Sequence, residues 1–190
     1  MSDSLWPGLA AWVALYCSDY ALTLHCARLY RAGVNEKIVF EGSYELNPYF
    51  QEEIDALRVV SPRFVLALLW TSGSLGVVWL ITRQTWLWPG PYLFLLGALL
   101  LMELAIHVRH LRNLYLFTMA LRSDAVRGRI EYGRRLMLTA SSIELAAFSL
   151  LFLVAFLVAG SPFLLGGSVM CLSTALRHWR LARQHAKTRR

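Results

Sequence analysis

The chain has 190 residues, 57% of them hydrophobic and 16% charged, with a net charge of +7. Soluble domains carry about 25% charged and ~45–50% apolar residues. Here the apolar excess sits in long runs almost free of charge, which argues against a disordered chain or a soluble single domain. Excess Lys and Arg in such a chain marks cytoplasmic loops rather than nucleic-acid binding.

A membrane-crossing helix needs about 20 apolar residues. The first run, 5–27, holds Asp19 near its centre and lacks a basic leader, so it reads as a span rather than a cleaved signal. A loop follows, with an amphipathic helix over about 48–60 that starts at Asn47-Pro48. Its Phe50, Ile54 and Leu57 share one face, and its acids favour capping the bundle over adhesion to an anionic leaflet. Ser61-Pro62 starts the second run, 64–82. The third is 92–111 and the fourth 136–159. Gly160-Ser161-Pro162 breaks the chain before a fifth run, 162–181.

The sequence therefore predicts an all-α integral membrane bundle of five transmembrane helices; four plus a re-entrant segment is the rival. The basic residues set the orientation. With the N-terminus outside and the C-terminus cytoplasmic, every Lys and Arg but Arg83 lies in or beside a cytoplasmic segment. The basic tail, 182–190, is expected to attract anionic lipid, with nucleic acid a weak rival. The bacterial inner membrane is the expected location.

Cys17, Cys26 and Cys171 form no C-x-x-C pair and read as small packing residues. Ser72-x-x-x-Gly76 and Gly167-x-x-x-Cys171-x-x-x-Ala175 are small-residue stripes for close helix contact, internal or in a homo-oligomer.

The informative residues are the acids inside the apolar runs. Asp19, Glu103 and Glu144 each lie nine residues from an arginine at the expected cytoplasmic end: Arg28, Arg112 and Arg135. At 1.5 Å per residue that places all three about 13 Å inside the boundary. The same count from Arg63 and Arg177 reaches Ser72 and Ser168. Glu103, His107 and His110 recur at i, i+4 and i+7, so they share a helix face, as do Asp19 and Thr23. His25 lies six residues past Asp19. Carboxylates and imidazoles on facing helices are the usual materials of a metal site in a bundle, and can also carry protons. The plainer alternative is a set of structural contacts: Glu103 with His107, Asp19 with Arg109, and Glu144 as an interhelical hydrogen-bonding group.

Asp19-Tyr-Ala-Leu-Thr23 followed by Glu45-Leu-Asn47-Pro48 resembles small uncharacterised bacterial membrane proteins, in which an Asp-x-x-x-Thr span precedes a Glu-x-Asn-Pro segment. The resemblance covers about a quarter of the chain and implies no activity. It adds Glu45 and Asn47 as supporting polar residues, with Glu45 folding back toward Asp19.

No P-loop, nucleophile elbow, H-E-x-x-H or dinucleotide fingerprint occurs, so no nucleotide or flavin cofactor is expected. The leading expectation is a cytoplasm-facing site on Asp19, Glu103, Glu144 and His107 that binds a divalent metal ion or protons for cation handling, in a channel or carrier and as an oligomer. The alternatives are an intramembrane metal-dependent enzyme acting on a lipid or membrane peptide, and a partner-docking or signalling module.

Overall fold

The computed structural model describes residues 4–86, 88–123 and 126–187. It is mainly helical, with two three-residue strands and short connecting turns. Helix α1 is Trp6–Leu29, continued by the turn Tyr30–Val34, which kinks at Gly33 (φ 135°), and the short α2, Asn35–Lys37. Strand β1 is Ile38–Phe40 and helix α3 is Gln51–Asp55. Helix α4 is Pro62–Ile81, followed by a π-helical turn, Thr82–Trp86. Helix α5 is Gly90–Arg122, strand β2 is Ile130–Tyr132, α6 is Arg134–Ala159 and α7 is Pro162–Lys187.

Three of the helical segments, Pro62–Gln84, Gly90–Arg122 and Arg134–Ala159, are long and apolar enough to cross a membrane. The predicted helix signals operate as physics requires. Ser61 accepts from the backbone N–H of Phe64, and Pro62 occupies the first turn, where its missing N–H costs nothing. Gly160 closes α6 in the left-handed conformation, φ 64°, and α7 begins at Pro162. The fifth run forms a helix of 26 residues, about 39 Å long at 1.5 Å per residue.

The loop helix is shorter than the sequence suggests. Its regular part is Gln51–Asp55, and the chain turns at Leu57, whose φ is +52°. The apolar trio still caps α1: Phe50, Ile54 and Leu57 pack with Tyr20, Leu24 and Ala27. The strand pair is not legible in the periodicity. β1 and β2 run parallel, with Ile38, Val39 and Phe40 opposite Ile130, Glu131 and Tyr132. It ties the α1–α4 connection to the α5–α6 connection, so both lie at one end of the bundle.

Helix α5 is the axial element, with α1 on one side and α7 on another. Its crossing with α7 is backbone against backbone. A Cβ on Gly97 would meet the Phe163 carbonyl oxygen at 1.8 Å, and one on Gly166 would meet that of Phe94 at 1.9 Å. Only glycine permits this approach. Cys171 and Ala175 of the second small-residue stripe are buried in the same region, with Ala105 and Leu145. Along α1, Trp12, Tyr16 and Tyr20 form an aromatic ladder; Tyr16 and Tyr20 stack on Phe64 at 5.0 and 4.5 Å. These contacts fix the rotation of α1 and thereby the direction in which Asp19 points.

Candidate metal and proton site

The packing of α1 on α5 brings Asp19, Glu103 and His107 together, each with a ligand atom within 4.8 Å of the other two. Ligands on one ion with bonds of ~2.0–2.2 Å lie roughly 3–3.5 Å apart. Small side-chain rotations would therefore close this set on a metal.

His107 is oriented for that role. Its Nδ1 lies 2.7 Å from the Glu103 carbonyl oxygen, four residues back on α5. A carbonyl only accepts, so Nδ1 carries the proton and Nε2 the lone pair. A backbone carbonyl on the far nitrogen is how proteins commonly set a metal-binding imidazole. Nε2 lies 2.7 Å from Ser18 Oγ, and Ser18 also donates to the Leu15 carbonyl at 2.9 Å. Its single proton serves either partner but not both. When Ser18 donates to Leu15, the lone pair on Nε2 is available to a cation.

His110 stands beside the set. Its Nε2 is 3.1 Å from Asp19 Oδ1 and 3.2 Å from Thr23 Oγ1. Thr23 donates to the Asp19 carbonyl at 3.0 Å, so its oxygen accepts from His110. Asp19 Oδ1, Glu103 Oε2 and His110 Nδ1 are buried and have no hydrogen-bond partner. The Asp19–His110 approach is therefore a close contact without hydrogen-bond geometry. Buried polar atoms are normally satisfied, and an orphan costs about 1–3 kcal/mol. The two orphan carboxylate oxygens belong to residues of the converging group, and a divalent cation or shared protons would satisfy them.

Glu144 does not join them. It pairs with arginines of α5 instead: Arg109 Nε lies 2.9 Å from its Oε2 and Arg112 Nη1 lies 3.3 Å from its Oε1. His25 is exposed and also stays out. Ser168 is engaged elsewhere: Ser149 and Ser168 exchange hydroxyl-to-carbonyl hydrogen bonds at 2.9 and 3.0 Å, joining α6 to α7. Ser72 Oγ is buried on α4 without a partner and outside the three-ligand group.

Glu45 does approach the site, close enough for the charges of His110, Asp19 and Arg109 to act on its carboxyl. Burial pushes that carboxyl above the usual range, partly offset by the Asn47 N–H that Oε1 accepts at 2.6 Å. Asn47 serves the turn, its Oδ1 accepting from the Tyr49 N–H at 3.3 Å. The clamp on this loop comes from Arg134, at the start of α6. It donates to the Ser43, Glu45 and Leu46 carbonyls at 3.0, 3.1 and 3.1 Å. Sequence reasoning missed Arg134 and Ser18. Neither has a local signature, since each acts across more than 80 residues.

The chain matches no family model, no curated protein and no solved structure.

Proposed function

We propose that this is a five-helix membrane protein, N-terminus outside and C-terminus cytoplasmic, that binds a divalent cation or protons at Asp19, Glu103 and His107 for cation handling as a channel or carrier. The observation that carries the reading is the convergence of three ligand atoms within 4.8 Å, with orphan oxygens on Asp19 and Glu103. Acids within apolar helices are costly, by about 2.5–3.5 kcal/mol each on insertion scales, and mark ion or proton pathways. Five helices of at least 20 residues, with two loops paired at one end, support the span count. One imidazole with two carboxylates suits Zn²⁺, Mn²⁺ or Fe²⁺ better than Ca²⁺, which prefers all-oxygen cages.

The test is elemental analysis of detergent-purified protein, followed by metal flux in proteoliposomes. About one metal ion per chain, lost in Glu103→Gln, together with metal-dependent flux, is the expected result. Bound metal without flux removes the transport half of the proposal.

The second reading is an intramembrane metal-dependent enzyme. It is favoured by the ligand count, because three protein ligands leave a position open for water, as in catalytic sites. Hydrolysis of a lipid or membrane peptide that depends on the bound metal would select it.

A further inference from the structure

The cytoplasmic end of α5, α6 and α7 carries more positive charge than it neutralises. Two guanidinium groups, Arg109 and Arg112, share the single carboxylate of Glu144. Arg109 is mostly buried, and its Nη2 is sealed from solvent without a hydrogen-bond partner. Arg109 is thus closed to a ligand from outside, and Arg112 is the arm of the pair that stays open. Arg109, Arg134 and Arg177 all lie close enough to act electrostatically on His178, whose Nδ1 is 2.8 Å from Ser141 Oγ. The charge of Arg109 also acts on Glu45, whose carboxyl burial pushes above the usual range.

The surroundings of this basic cluster are apolar and open. Helix α7 packs on both α5 and α6, while α5 and α6 make no extended contact with each other. Val108 and Leu111 on α5 and Leu136 and Ile143 on α6, close in sequence to the ion pairs, are exposed. Arg112 is itself largely exposed, with 62% of its side chain accessible. A soluble anion has no use for those apolar flanks, whereas a lipid has both a phosphate and chains.

We propose that Arg112, held beside the buried Arg109 by their shared carboxylate Glu144, binds the phosphate of an anionic phospholipid, with the acyl chains against the exposed faces of α5 and α6. Guanidinium groups pair with phosphate through two parallel N–H donors, and basic pockets between membrane helices hold headgroups in this way. Assignment to the cytoplasmic leaflet rests on the orientation proposed above; the binding site itself does not.

The experiment uses the full chain, delipidated in neutral detergent. Phosphatidylglycerol, phosphatidylcholine and inorganic phosphate are each titrated, and bound ligand is counted by native mass spectrometry. Phosphatidylglycerol should bind tightest. Arg112→Gln should weaken it about fivefold. Glu144→Gln, which removes the competing carboxylate, should tighten it. Unchanged phosphatidylglycerol affinity in both variants overturns the site. Inorganic phosphate or phosphatidylcholine binding as tightly as phosphatidylglycerol overturns the lipid assignment. Metal content, read on the same samples, reports separately on the Asp19–Glu103–His107 site.

Discussion

Arg109 Nε lies 2.9 Å from Glu144 Oε2, across the α5–α6 gap, and this pair divides the acids of the apolar runs into two groups. Among the described residues neither Asp19 nor Glu103 pairs with a Lys or Arg, whereas Glu144 pairs with two arginines. Glu144→Gln should therefore leave metal content unchanged. It should cost about 1–3 kcal/mol of stability, because Arg109 loses its charged acceptor in a mostly buried position. Thermal unfolding in neutral detergent beside elemental analysis separates the two effects. Loss of metal in this variant would return Glu144 to the site.

The opposite pattern is expected at Asp19 and Glu103. Their orphan oxygens burden the metal-free protein, so Asp19→Asn and Glu103→Gln should match or exceed the wild-type melting temperature in chelator. Wild-type protein should gain stability with added metal, by about 2.7 kcal/mol at a hundredfold excess over Kd. The variants should gain none. Equal metal-induced shifts in all three proteins would show that the ion binds elsewhere.

Glycine tolerance should follow the helix crossing. Gly97→Ala and Gly166→Ala drive a methyl group into a facing carbonyl oxygen and should cost about 1–3 kcal/mol or more. Gly73→Ala on α4 has nothing within 4 Å and should be neutral or stabilising, by up to ~1 kcal/mol. Comparable losses at all three positions would contradict the α5–α7 crossing.

Glu45 gives a pH dependence with a defined sign. Burial raises its folded pKa above the unfolded value of about 4.3. Its contribution to stability is therefore fully present below that value and is lost as pH rises through the folded pKa. Glu45→Gln should flatten this limb of the melting-temperature profile. Arg134→Ala, which frees the loop from its three carbonyl contacts, should flatten it too, by letting Glu45 reach water. A limb that survives in both variants belongs to another group.

Local chemistry in the sequence determined the elements and their punctuation. Ser61-Pro62 and Gly160-Ser161-Pro162 set helix ends through capping and backbone geometry, which involve only neighbouring residues. The i, i+4, i+7 spacing of Glu103, His107 and His110 placed them on one face for the same reason. Tertiary structure alone decided which face met which. Stacking of Tyr16 and Tyr20 on Phe64 and the packing of α1 on α5 bring Asp19 to that face. Glu144 pairs with Arg109 and Arg112 rather than joining the three-ligand group, a partnership that a count along helix axes omits. The β1–β2 pair and the Arg134 clamp join segments about 90 residues apart, where no periodicity carries a signal. Depth in an apolar run follows from rise per residue, but partnership depends on helix rotation and side-chain reach, and those are properties of the packed bundle.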